Sequence, residues 1–299
     1  MKYNFFNSMG LFLIAILFIT SCSDDDDSPT QATACSVLSL SFDSMEDLAG
    51  GGTETVNSDV TFTYNSEGNI TSIKEDYDEE ICQTPDDCVN DPFRGEVRVI
   101  YDGDLINGIR LFEDGQASDD TEVVLTYDAN DRISVYAVTE LNDGVVVDID
   151  EYRFIYENDK VVKVEFWEAF SADEALVPDG SEEFTYTGNN ITKVVTREVG
   201  GEISFEINTS YDDKTNPFFN QIALFAANIA FDETFQLANI FSENNPVSIR
   251  SEDFLDQDID NATVTYQYNE FNVPTSIDYD ETDDGFDASY TGIATINCN

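Results

Sequence analysis

Histidine is absent from all 299 residues. That removes Ser-His-Asp and Cys-His nucleophile arrangements and imidazole metal sites at once. Cations are scarce as well: Lys and Arg total 13 against 62 Asp and Glu, a formal net charge of −49. Such a surface repels nucleic acid and anionic lipid headgroups, so no nucleic-acid partner is expected. Tryptophan occurs once, at Trp167. The amino-terminal apolar run, Leu11 to Ile19, falls short of the roughly 20 residues a spanning helix needs. What the chain does have is apolar mass. Apolar residues make up 41%, with 22 Phe and 14 Tyr, enough to bury a core and to exclude a largely disordered chain.

The amino terminus has the form of a secretory signal: Lys2, then the short apolar run, then Thr20-Ser21-Cys22. A cysteine behind Ile-Thr-Ser resembles a bacterial lipoprotein signal, which implies that Cys22 is acylated and becomes the first residue. Ser23-Asp24-Asp25-Asp26-Asp27 resembles the surface-export tag of Bacteroidetes lipoproteins. The expected organisation is a signal peptide over 1–21, an acidic flexible tether over 22–34 and a single domain over 35–299. The expected location is the outer membrane, with the acyl chains of Cys22 in the lipid and the domain on the cell surface. Each buried CH₂ contributes about 0.8 kcal/mol, so several chains anchor stably.

Apart from Cys22, four cysteines remain, an even set in an exported protein where disulfides persist. Cys82 and Cys88 flank the turn-prone Gln-Thr-Pro-Asp-Asp, which predicts a local bridge. Cys35 would then meet Cys298 and clasp the ends of the domain.

A repeat organises that domain. Val60-Thr-Phe-Thr-Tyr64 leads through Asn-Ser-Glu-Gly-Asn to Ile70 and Ile73, and the pattern returns around Tyr101, Tyr127, Tyr156, Tyr186, Tyr211 and Tyr268. Alternation before each tyrosine is the period of a half-buried strand. The Asn/Asp/Gly cluster supplies positive-φ turn positions. The Ile-x-x-Ile step breaks strict alternation, so a bulge is expected on the returning strand. Spacings between tyrosines run from 25 to 37 residues, except the last, which is 57. A degenerate copy would fill that gap, because Asn245-Pro-Val-Ser-Ile249 has the form of the second half of a unit. Neighbouring hairpins must stack to bury their apolar faces.

The units resemble the tyrosine-aspartate repeats of Rhs-type shells. They are still more similar to a group of Bacteroidetes surface lipoproteins of unknown function. The local marks are Tyr127-Asp128, Tyr211-Asp212, Asn216-Pro217-Phe218 and Asn244-Asn245-Pro246. The resemblance implies an all-β architecture and no assigned activity. The fold expected is an antiparallel β-hairpin meander forming a curved sheet or open barrel. One helical insertion, 218–231, would pack on the concave face: it follows Pro217, lacks glycine and is apolar nearly all round.

Candidate chemistry is thin. A glycosidase needs two carboxylates, one with a raised pKa, and 62 acids offer no way to choose a pair. Asp256, Asp258 and Asp260 sit at alternate positions and are candidate calcium ligands, as is the less regular Asp280–Asp287 run; both lack parts of a helix-loop-helix calcium site. Phe166, Trp167 and Phe170 cluster, and a strand would turn Phe166 and Trp167 to opposite faces, leaving Trp167 as a candidate glycan platform. The reading that results is a surface-anchored binding or scaffold protein without catalytic activity, with a glycan or a surface protein as its partner. Glycan binding for a polysaccharide-uptake system is the alternative, and a carboxylate-dependent hydrolase a weaker one.

Overall fold

The computed structural model describes residues 35–48, 52–84, 87–118, 120–219, 223–224, 240–255, 257–282 and 287–298. The signal, Cys22, the Ser23–Asp27 tag, the tether, Asp256 and most of the expected helix lie outside the described residues.

Seventeen antiparallel strands build one sheet. The chain enters with β1 (Cys35–Leu48), and hairpins follow in sequence order: β2 (Gly52–Tyr64) with β3 (Ile70–Thr84), then β4 (Asp87–Asp102) with β5 (Leu105–Glu113). After the two-residue β6 (Gln116–Ala117) come β7 (Thr121–Tyr127) with β8 (Ile133–Asn142), β9 (Val145–Glu157) with β10 (Lys160–Ala169), and β11 (Val177–Thr187) with β12 (Asn190–Arg197). The last hairpins are β13 (Ile203–Thr215) with β14 (Asn244–Asp253) and β15 (Asp258–Tyr268) with β16 (Pro274–Thr282), and β17 (Asp287–Cys298) closes the chain. Strand β1 pairs with both β2 and β17, so the two ends of the chain zip together. The only break in the ladder among the described residues is between β5/β6 and β7. Strands β5 and β7 lie side by side there without a shared ladder. The sheet is a rolled, open barrel, as the meander predicts.

Every unit repeats one detail of register. The anchor tyrosine stands opposite the first apolar residue of the returning strand: Tyr64 opposite Ile70, Tyr101 opposite Ile106, Tyr127 opposite Ile133, Tyr156 opposite Val161 and Tyr186 opposite Ile191. The preceding residue skips one partner, which leaves the expected bulge at Thr71, Asn107, Ser134, Val162 and Thr192. Where the bulged residue is Ser or Thr, its hydroxyl donates to the carbonyl of the residue before the tyrosine, as Thr71 does to Thr63 at 3.1 Å and Ser134 to Thr126 at 3.0 Å. The bulge returns both apolar residues of the step to the interior. Ile70, Ile73, Ile133, Tyr136, Val161 and Val164 are all buried.

Turn chemistry explains why the apolar pair follows the tyrosine at two different offsets. Asn158 and Asp159 alone connect β9 to β10, both with positive φ (49° and 63°), the form of a type I′ hairpin. In the longer turns the residue after the tyrosine caps the loop with its side chain. Asn65 Oδ1 accepts from Glu67 and Asn69, Asp128 Oδ1 from Asn130 and Arg132, and Asn269 Oδ1 from Phe271 and Val273. These are Asx turns.

Among the described residues the 57-residue gap holds no separate copy. Tyr211 stands opposite Pro246 and Ser210 opposite Ser248, with the bulge at Val247. Asn245–Ile249 is therefore the returning strand of the Tyr211 unit itself, and the chain between Thr215 and Asn244 replaces its turn. The insertion reads as a lost repeat in sequence because it adds about one unit of length between two intact halves. Of the helix expected over 218–231, Ala223 and Leu224 are helical and buried. With Phe218, Ile240 and Phe241 they join the strand residues in one core on the concave face. Phe218 meets Phe62 with ring centroids 5.5 Å apart.

Cys82 and Cys88 form the local disulfide and stand opposite each other in the β3–β4 ladder. The backbone register also sets Cys35 opposite Cys298.

Candidate binding cleft

Because the strands alternate in direction, all seven tyrosine turns gather at one end of the barrel. The tyrosine hydroxyls there link unit to unit. Tyr101 donates to the Ile70 carbonyl (2.9 Å), Tyr127 to Ile106 (2.8 Å), Tyr156 to Ile133 (2.9 Å), Tyr186 to Val161 (3.0 Å) and Tyr211 to Ile191 (2.5 Å). In each case the acceptor is the first apolar residue of the unit before. Burial pushes the phenols of Tyr101, Tyr156 and Tyr211 up to about 12, so they remain protonated donors. The Tyr127 bond spans the open seam between β5 and β7. Tyr64, in the first unit, has no unit before it, and its buried hydroxyl has no partner. Tyr268 turns instead to the Asp212 carboxylate.

A cleft of about 470 Å³ opens between this row of turns and the insertion. Tyr101, Tyr127, Tyr156 and Tyr186 line it on the sheet side and Phe219, Ala223 and Phe241 on the other, with Asp104, Asp131, Asn158, Asp159 and Asn189 among the polar lining groups. Its two cations are already engaged. Arg132 stacks its guanidinium 4.3 Å from the Tyr156 ring centroid and donates to Asp128 and Asp159. That guanidinium, with backbone N–H groups, holds the Asp128 carboxyl down at about 2. Lys160 stacks on Tyr186 at 4.9 Å and donates to the Gly188 carbonyl.

The insertion wall is stitched to the sheet by a polar network. Ser242 Oγ accepts from the Ile191 N–H (2.9 Å) and donates to the Tyr211 hydroxyl (3.0 Å). Asn216 Nδ2 donates to the Ser242 carbonyl, and Asn190 and Asn244 exchange two hydrogen bonds of 2.9 Å. Asp212 accepts from the Lys214 and Asn245 backbone N–H groups. The tyrosine-aspartate pairs thus act locally: the tyrosine ties a unit to its predecessor, and the aspartate fixes the turn.

Farther from the turns, along the strands, the barrel differs. Asp150 stands opposite Val138 and Glu168, and Glu182 opposite Val164, which places these carboxylates on the core-facing side. Burial, with repulsion from Asp148, Glu140, Glu168 and Asp179, pushes Asp150 up to about 6. Burial alone pushes Glu182 up to about 7. Burial also raises Glu168 and Asp179, with neighbouring acids adding to the effect.

The residues singled out in sequence do not meet at the cleft. Trp167 lies on β10, half-buried, with the Arg153 guanidinium 3.9 Å from its ring centroid and its indole N–H buried without a partner. Phe166 packs on the opposite face against the core and Tyr152, and Phe170 is exposed. Asp258 and Asp260 lie on β15, where Asp260 accepts from Ser251 at 3.3 Å. The one acid-and-cysteine cluster of metal-binding size among the described residues is Glu80 with Cys82 and Cys88, and its cysteines are the disulfide. The cleft itself carried one signal in sequence: the tyrosines recur at the ends of strands whose turns must share one edge.

No family profile matches the sequence, and no curated protein is significantly similar to it. Solved structures do match in fold. A porin-like protein from Bacteroides uniformis superposes with a TM-score of 0.51 at 11% identity, over 87% of this chain and 96% of that one. A porin-like protein from Bacteroides vulgatus gives 0.49 at 12% identity, over 87% and 98%.

Proposed function

We propose that this chain is a non-catalytic binding protein, held at the outer membrane by an acylated Cys22 and displayed on the cell surface, with the tyrosine-end cleft as its binding site. The cleft carries the reading. It is the place where the repeat departs from regularity, and its 470 Å³ falls within the roughly 300–1,000 Å³ typical of ligand pockets.

The polarity of the barrel supports attachment to a membrane over passage through one. A membrane-spanning barrel turns an apolar band outward and keeps a polar lumen. Here Val56, Val60 and Phe62 of β2 are buried, while Asn57, Asp59, Thr61 and Thr63 are exposed. On β15, Ala262 and Val264 are buried between exposed Asn261, Thr263, Thr265 and Gln267. Such a body requires a separate anchor, and the Cys22 signal supplies one.

Raised carboxyls favour a second reading, a hydrolase. Asp150 and Glu182 are not among the residues that line the cleft, however, and lie on different rungs of the ladder, so binding is preferred. Lipid labelling and protease shaving of intact cells test the proposal. The wild-type chain should label with fatty acid and be cleaved from outside, and Cys22→Ser should abolish both. A wild-type chain that resists external protease in intact cells contradicts surface display.

A further inference from the structure

We infer that the cleft takes a neutral oligosaccharide, an assignment that rests on the binding reading above. Three observations point to this class. First, the lining pairs aromatic rings with a hydroxyl-matching rim. Tyr101, Tyr127 and Phe219 offer apolar ring surface of the kind that packs on the C–H face of a sugar. Asp104 and Asp131 are exposed carboxylates at hairpin turns, strong acceptors for sugar hydroxyls.

Second, the charge pattern selects against anions. Asp104, Asp131 and Asp159 face a polyanion with like charge, on a protein whose net charge is −49. Arg132 and Lys160 stand in the same cleft but are already committed to carboxylate, carbonyl and ring partners, so they offer an anion no free counter-charge. A neutral polyol meets acceptors and donors without bringing a charge to either.

Third, the wall is built. Where the two-residue turns suffice in units such as Asn158–Asp159, the Tyr211 unit inserts the chain between Thr215 and Asn244 and fastens its base through Ser242, Asn216 and Asn244. The rim is also pre-organised: Asp131 is held at φ 60° inside the Asp128-capped turn, so little ordering remains to oppose binding.

Titration calorimetry on the mature chain tests the inference, with short gluco-, manno- and xylo-oligosaccharides as probes and oligogalacturonate and oligolysine as charged contrasts. At least one neutral series should bind. The double variant Asp104→Asn/Asp131→Asn should weaken it about tenfold or more with an unchanged melting temperature, since Asn tolerates the Asp131 backbone. Phe219→Ala should weaken it as well. Binding of the charged probes alone overturns the inference, as does neutral-sugar binding that neither variant changes. No heat with any probe also overturns it, while the surface-display reading, judged by Cys22→Ser and protease shaving, stands or falls separately.

Discussion

The two ends of the barrel are made by the same strands and solve opposite problems. At the tyrosine end, polar groups find uncharged backbone partners. Hydroxyls of successive units meet carbonyls, and Asn65, Asp128 and Asn269 close their own turns. From mid-sheet toward the other end, carboxylates of Glu182, Asp150 and Glu168 face the core side of the sheet, and some crowd one another. Above about pH 4 the first arrangement is nearly indifferent to pH; the second is not. The comparison teaches that a repeat fixes geometry at the edge where its motif sits and leaves the far edge free to vary.

The largest effect should come from removing the plug shared by the insertion and the sheet. Phe218 is 2% exposed and packs on Phe62, so Phe218→Ala should cost about 3–5 kcal/mol in denaturant unfolding. Reducing the Cys82–Cys88 bridge, at the far end, should cost less, about 2 kcal/mol, because the loop it closes is short. Tyr156→Phe strands the Ile133 carbonyl and should cost about 1–3 kcal/mol, with the same loss at pH 8 and pH 5.

The core-side carboxylates should show the reverse pH behaviour. Folding raises the carboxyls of Glu182 and Asp150 to about 7 and about 6, so the folded state holds more protons than the unfolded state between roughly pH 4 and 7. Stability should therefore rise as pH falls from 8 to 5. Glu182→Gln should raise the melting temperature at pH 8 and leave it unchanged near pH 4. Below about pH 4 the trend should turn, as Asp128, Glu96 and Glu206, whose carboxyls are lowered by Arg132, Arg98 and Lys193, become protonated. The smallest effect belongs to exposed ion pairs. Asp213→Asn removes the partner of Lys214 and should leave the melting temperature within error of the wild type.

Much of the regular end was legible in sequence. Alternation, turn clusters and the three-residue apolar step specify strands, positive-φ turns and bulges, and the structure has each at Tyr64–Ile73 and its sister units. The spacing of Cys82 and Cys88 specified their bridge. The hydroxyl-to-carbonyl links were not legible, because they are contacts between units and no single unit contains them. The insertion was misread for a related reason: Asn245–Ile249 looks alike whether it follows a lost strand or completes the Tyr211 strand, and only the ladder decides. Among so many acids, period-two parity from Val138 and Val164 could have assigned Asp150 and Glu182 to the core side, but only once the pairing was known. Alternation placed Phe166 and Trp167 on opposite faces, as found, but could not show that Arg153 covers a face of the Trp167 ring.

The central claim is that the tyrosine end, where the insertion after the Tyr211 strand faces the row of regular turns, is where this protein meets its ligand. Co-crystallising the mature chain with the best-binding neutral oligosaccharide tests that claim most directly. The account predicts sugar density between Tyr127 and Phe219, with hydroxyls on Asp104 or Asp131. Density at the acidic end, or over Phe170 and Trp167 on the outer face of β10, would contradict it.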